Sequence, residues 1–477
     1  MTQYVLSSFP AIRLYGVLIL AILPLVASRA ADPPNLIIIL ADDMGYGDLS
    51  CFGSKQIQTP NIDALADGGV RCTQGYVSGV VCAPSRAGLM TGRYQNRFGF
   101  EHNIVGAADY YHFDHIGLPT EEVTIADRLK ALGYATACIG KWHLGNREAM
   151  HPNQRGFDYY FGRYKGHGYF PKVADNAIYR QSEPVKSIDV PYTTDWYTKE
   201  AIEFIQRTQD DQPFFLYLAH DTPHTPLQAK DEDLAKFQHI ESKKRRTICA
   251  MQHCLDENIG RLVQSLKDTD RFENTLIVFF SDNGGVTNGI DHSINAPLRG
   301  QKAMFFDGGM HVPFIFSWPA GGLKANITYE QPFISLDLVP TFLAAAGNPW
   351  QLTGGKEGKR IYDGVNLLPF LRGERGDDFP HETLYWRITH RGAAIRDRDW
   401  KLIRTPHLPA MLFDLSTDPS EQSDLACERP EQVAKLMRKL AHWESSFEHT
   451  PRWFSSNRWM KSIFSAYDAS YSIVQPE

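Results

Sequence analysis

Apolar and polar positions divide the first two thirds of the chain into a repeating unit. Four continuous apolar runs recur, at Asn35–Leu40, Tyr134–Ile139, Pro213–Ala219 and Thr275–Phe280. A run without polar alternation is the pattern of a strand buried on both faces, as in a parallel sheet. Helical patterns lie between the runs. One starts at Thr59-Pro60 and stops at Gly68-Gly69. Another, Thr124–Leu132, has a threonine cap and Gly133 as its stop. Asp195–Arg207 and residues 247–267 complete the set, the last one long and amphipathic. His311–Trp318 reads as a further strand. This alternation predicts an α/β fold, a doubly wound, mixed but mostly parallel sheet flanked by helices.

After about Val365 the texture changes. Tyr385–Trp386, Ala393–Arg396, Lys401–Ile403 and Met411–Leu415 read as short strands of a small antiparallel sheet. Pro430–Phe447 is an amphipathic helix that can pack on it. The expected organisation is a leader over 1–30, a large α/β domain over 31–365, and a smaller C-terminal α+β domain over 366–477. Residues 448–477 are aromatic-rich and show no periodicity that places them.

Ligands in doubly wound sheets bind outside the carboxyl ends of the strands. Here each run ends in polar residues. The first ends in Asp42-Asp43, the second in Lys141 and His143, the third in a proline-held loop with His220 and His224, the fourth in Asp282-Asn283. Arg299, Lys302 and Asp307 follow in a glycine-rich loop. Taken alone, Asp42-Asp43 is a turn pair. The topology brings it to Asp282 and Asn283, and that set offers only oxygen donors. Oxygen donors suit Ca²⁺ or Mg²⁺ and not Zn²⁺. Lys141 and His143 are two apart, so an extended backbone points them to one side. Of the two histidines in the third loop, His224 is the candidate for chemistry and His220 a supporting residue. His102, His112 and His115 share no metal spacing and read as loop residues.

The stretch Val81–Arg93, VCAPSRAGLMTGR, stands out. Pro84 suits the first turn of a helix. Cys82 then lies just before a helix N-terminus, where free N–H groups and the dipole favour an anion. Arg86 follows one turn on. Most cysteines are small buried hydrophobes; this position suits an anionic substrate instead.

Composition adds compartment and excludes partners. Of the 477 residues, 43% are hydrophobic and 22% charged, as in a globular protein. Arg13, the apolar run Leu14–Ala27 and the small-x-small site Ser28-Arg29-Ala30 read as a secretory signal. The run is short for a membrane span and Pro24 interrupts it, an uncleaved anchor being the alternative reading, and no second run of spanning length follows. The protein is therefore expected to be exported: periplasmic or secreted, or in a lysosome-type compartment of a eukaryotic cell. The formal charge of −6 becomes −8 once Arg13 and Arg29 leave with the leader. That excludes an electrostatic footprint for nucleic acid or anionic membrane. Seven cysteines, an odd number, leave at least one unpaired.

Seven ordered stretches resemble the sulfatases of the alkaline-phosphatase superfamily: NLIIILADDMGYGDL, TPNIDALADGGVR, CAPSRAGLMTGR, GYATACIGKWHLG, PFFLYLAHDTPHTPL, LIVFFSDNGG and LRGQKAMFFDGGMHVPFIFSWP. MLFDLSTDPSEQSDLA resembles the closing sheet of that family. The resemblance implies hydrolysis of sulfate monoesters, of aryl or carbohydrate alcohols. It implies a catalytic formylglycine made from Cys82 by a maturation enzyme, and a cation, usually Ca²⁺ with Mg²⁺ possible. That cation would be held by Asp42, Asp43, Asp282, Asn283 and position 82. Arg86 would support the hydrated aldehyde. Lys141, His143, His224 and Lys302 would surround the sulfate, with Lys141, His224, Lys302 and His167 binding substrate. His167 belongs to a weaker match, Gly166-His167-Gly168-Tyr169. The implied cycle runs through a formylglycine–sulfate intermediate. In it His224, with Lys302, serves the leaving alcohol, Asp282 takes a proton from the nucleophile, and His143 drives release of sulfate. Two rival readings are a phosphoester or phosphonate hydrolase on the same fold, and a catalytically dead glycan-binding relative. The intact set of residues argues against the second.

Overall fold

A computed structural model of the chain describes residues 1–3, 32–104, 116–164, 168–175, 177–287, 293–348, 362–406 and 408–453. Residues 4–30 of the expected leader, His112, His115, His167 and the tail beyond 453 lie outside the described residues. From Pro33 onward the chain forms one compact unit. Its strands are β1 Asn35–Asp42, β2 Val70–Cys72, β3 Gly75–Tyr76, β4 Ala135–Lys141, β5 Tyr159–Arg163, β6 Tyr179–Arg180, β7 Glu183–Pro184, β8 Phe214–Pro223, β9 Thr275–Ser281, β10 Phe314–Ser317, β11 Ile327–Tyr329, β12 Phe333–Ile334, β13 Thr383–Ile388, β14 Gly392–Asp397, β15 Trp400–Arg404 and β16 Met411–Asp414. The α-helices are α1 Pro60–Asp67, α2 Cys82–Thr91, α3 Ile125–Ala131, α4 Thr193–Arg207, α5 Asp231–Lys236, α6 Lys243–Asp268, α7 Leu338–Ala345, α8 Leu368–Leu371 and α9 Pro430–Ser445.

Ten strands make one sheet in the order β11-β2-β10-β9-β1-β8-β4-β5-β6-β7. The four apolar runs are its neighbouring central strands β9, β1, β8 and β4, all parallel. Their lack of alternation has a direct cause. Leu36, Ile38 and Leu40 enter a buried cluster with residues of α2, α3 and α7 on one face. Ile37, Ile39 and Ala41 enter another with residues of α1, α4 and α6 on the opposite face. Antiparallel pairing of β10 with β9 and β2 makes the sheet mixed. The apolar pattern does not reveal β5, because YYFGR carries glycine and arginine, yet it extends the parallel array beside β4.

Strands β13–β16 form the small antiparallel sheet, with α9 packed on β14 and β15. Leu384, Trp386, Ile395 and Leu402 belong to the same buried cluster as Leu36, so one core continues from the large sheet into the small one. Trp386 Nε1 donates to the Val77 carbonyl at 2.7 Å, tying the small sheet to the segment before α2. At the start of the aromatic tail, Trp453 stacks edge-on against Phe100 and donates to the Asn103 carbonyl. All seven cysteines are free thiols. No described helix is long and apolar enough to cross a membrane.

Two backbone details position the site. Helix α2 begins at Cys82 itself, not after it, with Val81 as an extended cap. Pro84 is then the third helical residue. First-turn N–H groups have no intrahelical partner, so proline is tolerated there too. At the end of β4, Gly140 has φ +104°, and a Cβ there would lie 1.9 Å from the Ala219 carbonyl oxygen. Only glycine lets β4 approach β8 so closely one residue before Lys141. Gly140→Ala is expected to destabilise the fold by at least ~2 kcal/mol, through both the positive φ and the backbone overlap. A thermal-unfolding midpoint equal to wild type would contradict this.

Candidate active site

The carboxyl ends of β1, β4, β8 and β9 bring their polar residues to the start of α2. Asp42 closes β1. Asp43, at φ +66°, turns the chain away from the sheet. Its side chain meets that of Asn283 beyond β9, whose amide donates to Asp43 Oδ1 at 2.7 Å. Asp282 Oδ1 accepts from the Asp43 backbone N–H at 3.3 Å. The Cys82 thiol points into this group. Its Sγ lies 3.4 Å from Asp42 Oδ1, 3.8 Å from Asp43 Oδ1 and 3.1 Å from Lys302 Nζ.

Three permanent cations face three carboxylates. Arg86, fully buried on α2, donates through Nε to Asp282 Oδ2 at 2.8 Å and through its NH1 group to the Lys141 carbonyl. Lys141 Nζ donates to Asp42 Oδ2, and Lys302 Nζ to both oxygens of Asp43 at 2.5 and 2.8 Å. Burial alone raises a carboxylate's pKa. At Asp42 this rise is overcome by Lys141, His224, Arg86 and Lys302, which hold the carboxyl well below its usual range. At Asp282 burial and the neighbouring charge of Asp42 prevail over Arg86 and Lys141, and the group is pushed up to about 6. Burial, reinforced by Asp282, also pushes the Cys82 thiol up.

The two histidines are poised differently. The expected extended segment after β4 instead bends at His143, whose φ is +59°. His143 Nε2 lies 3.1 Å from the Ile104 carbonyl, which only accepts, so Nε2 carries the proton. Nδ1 is then a lone pair, buried and without a hydrogen-bond partner among the described residues. Burial and Lys141 push this imidazole well below its usual pKa, so it is neutral. His224 is partly open to solvent. Its Nδ1–H donates to the Thr225 carbonyl at 2.6 Å, and Nε2 lies 3.6 Å from Asp43 Oδ2.

Asp42, Asp43, Cys82 and His224 place ligand atoms within 4.8 Å of one another. Asn283 Oδ1 is buried with no hydrogen-bond partner among the described residues. An orphaned buried carbonyl beside carboxylates is a donor set that fits a hard cation. Thus the structure brings together Asp42, Asp43, Cys82, Arg86, Lys141, His143, His224, Asp282, Asn283 and Lys302. His167 lies outside the described residues.

Three supporting residues escape a sequence reading. Ser281 Oγ accepts from the Met44 N–H and donates to the Asn283 carbonyl, locking the ends of β1 and β9 together. Asn295 clamps Gly285, accepting from its N–H and donating to its carbonyl. Tyr169 OH lies 2.6 and 2.9 Å from the carbonyls of Asp221 and His224, fixing the His224 loop. Ser281, adjacent to Asp282 at a strand end, and Tyr169, in the weaker Gly166–Tyr169 match, carried some signal, and Asn295 carried none.

Buried carboxylates matched by fixed cations at the ends of parallel strands, around one side chain at a helix start, make a charged site suited to a cation and an anionic ligand. The family profile described as Sulfatase matches residues 34–348. Human N-acetylgalactosamine-6-sulfatase is 35% identical over 457 residues, covering 86% of this chain and 85% of its own. Human arylsulfatase A is 31% identical over 450 residues, covering 83% and 84%. The crystal structure described as Ps i-CgsB in complex with k-i-k-neocarrahexaose superposes with a TM-score of 0.80 at 35% identity, covering 92% of this chain and 98% of that one. The chain belongs to the sulfatase family, within the alkaline-phosphatase superfamily, and is a sulfuric ester hydrolase.

Proposed function

We propose that the protein is an exported sulfatase of carbohydrate sulfate esters that uses a formylglycine made from Cys82 by a maturation enzyme, together with a bound Ca²⁺. The observation that carries this reading is the Cys82 side chain, set at a helix start between Asp42, Asp43 and Lys302. A hydrated formylglycine supplies an oxygen nucleophile with a second hydroxyl for releasing sulfate. Asp42, Asp43, Asp282, Asn283 and position 82 would hold the cation, which supplies positive charge against the substrate's oxygens. Mg²⁺ is the alternative ion for the same oxygen donors.

The chain's own residues complete the chemistry. Without metal the site is balanced, three carboxylates against three cations, so a divalent ion makes it net positive and suited to an anion. Lys141 and Lys302 face the sulfate oxygens and stabilise charge that builds there. Arg86 orients Asp282 and the start of α2. His224, reachable from solvent, gives a proton to the leaving alcohol at Nε2. His143 accepts one at Nδ1, where its lone pair is free. Each such transfer contributes about 10²–10⁴-fold. The carbohydrate assignment rests on a relative named for a 6-sulfated N-acetylgalactosamine and a neighbour holding a neocarrahexaose.

The test is turnover by the matured protein. It should hydrolyse an aryl sulfate with a much higher kcat/KM than the matching aryl phosphate. It should also release sulfate from at least one member of a panel of sulfated sugars. The peptide spanning position 82 should carry an aldehyde. A preference for the phosphate ester would favour the phosphohydrolase reading, and an intact thiol in fully active protein would refute the formylglycine.

A further inference from the structure

Outside the catalytic site, helices α5 and α6 build a second convergence of metal-ligating atoms. His253 and Glu257 lie one turn apart on α6 and share a face. Asp233 reaches them from α5. The three ligand atoms lie within 4.8 Å of one another. At their centre sits the Lys236 ammonium, with Nζ 3.4 Å from Asp233 Oδ1, 2.5 Å from His253 Nε2 and 3.3 Å from Glu257 Oε1.

The protons dictate what this means. An ammonium only donates, so all three partners accept. His253 Nε2 is therefore an unprotonated lone pair aimed inward. It lies 3.1 Å from Glu257 Oε1, another acceptor. Two lone pairs that close repel unless a cation lies between them. The tripod is a cation site by construction, and a tethered lysine fills it. Lys236 is 44% exposed at its side chain and can swing to solvent, whereas Asp233 is 1% exposed and fixed. The Phe237 ring stands edge-on to the His253 ring at 5.8 Å and holds its orientation. A cleft of about 390 Å³, lined by Phe237, His239 and Ile57, borders the tripod and leaves room for a water ligand.

We propose that Asp233, His253 and Glu257 form a site for a borderline divalent cation, of which Zn²⁺ is the type, with Lys236 as its built-in competitor. One imidazole nitrogen and two carboxylates with an open fourth position suit Zn²⁺ rather than Ca²⁺, which takes oxygen ligands. The site thus differs in preference from the oxygen-only donors around Asp42. Binding exchanges the ammonium for the metal, so removing Lys236 strengthens it.

The experiment titrates Zn²⁺ against a fluorescent zinc chelator, with the full protein in saturating Ca²⁺. Wild type, Lys236→Ala and His253→Ala are compared, and unchanged aryl sulfate turnover reports that each variant is folded. Wild type should show a saturable site that His253→Ala loses. Lys236→Ala should bind at least tenfold more tightly than wild type, since an ammonium no longer competes. Wild type and His253→Ala titrating alike, or no tightening in Lys236→Ala, would overturn the proposal and leave the cluster a surface ion-pair network.

Discussion

Cys82→Ser is expected to release at most about one alcohol per enzyme from an aryl sulfate and then stop. The hydrated aldehyde at position 82 would carry two hydroxyls, one to attack sulfur and one to drive release. Serine has one. Its hydroxyl sits where the Cys82 thiol sits, 3–4 Å from Asp42, Asp43 and Lys302, so attack is geometrically allowed though weak. In-line displacement would form the Ser–O–sulfate bond as the serine proton passes to Asp282 and the S–O bond to the alcohol breaks, and His224 would protonate the departing oxygen. No neighbouring hydroxyl then expels the sulfate. Steady turnover should fall by about 10⁴-fold or more, the scale on which loss of a nucleophile is felt. Quenching after incubation and weighing the peptide over position 82 should show serine carrying sulfate. Sustained turnover by the variant would mean that water attacks sulfur directly, and the covalent scheme would fall.

The same position shows how far the sequence could be read. The four central strands were legible because burial on both faces removes polar alternation, and Ile37 and Ile38 do enter opposite clusters. Their order was not legible, since hydrophobic runs carry no record of which neighbour they pair with. The convergence of Asp42, Lys141, His224 and Asp282 needed only the rule that strand ends gather at one edge of a parallel sheet. Strand β5 escaped because YYFGR carries glycine and arginine although it is paired on both sides, and the strands towards the two margins because they are only two or three residues long. The start of α2 lies one residue earlier than the spacing predicts, because the first turn tolerates a proline at its third position as well, where the missing N–H still costs nothing.

What sequence could not supply was the wiring between these residues. Nothing in the spacing of Ser281, Asn295 or Tyr169 says that each closes a hydrogen bond across more than one loop. The backbone turn at His143 is likewise hidden, although the free Nδ1 on which its proposed role depends follows from that turn and from the Ile104 carbonyl. Chemistry was legible where side-chain type alone decides it, and illegible where orientation decides it.

Asp282 offers the second large effect, because two functions meet on one carboxylate. Its Oδ2 holds Arg86 through Nε at 2.8 Å, and its Oδ1 faces the Asp43 backbone beside the orphaned Asn283 carbonyl. Asp282→Ala should therefore lose bound cation and also leave the buried Arg86 guanidinium without its closest partner. Unpairing a buried charge costs about 3–5 kcal/mol, so this variant is expected to be measurably less stable. Asp282→Asn removes the charge but keeps the volume and one oxygen that can still accept from Arg86, so it should lose the cation with a smaller loss of stability than Asp282→Ala. Both variants should bind less Ca²⁺ by elemental analysis and lose about 10³-fold in kcat, the scale of several kcal/mol of charge stabilisation. Stripping wild type with a chelator should reproduce the loss, and added Ca²⁺ should reverse it in wild type but not in Asp282→Ala. If Asp282→Ala kept normal metal content and normal rate, the cation would not be held at this edge of the sheet, and the positive charge proposed to draw in the sulfate would have to come from Arg86, Lys141 and Lys302 alone.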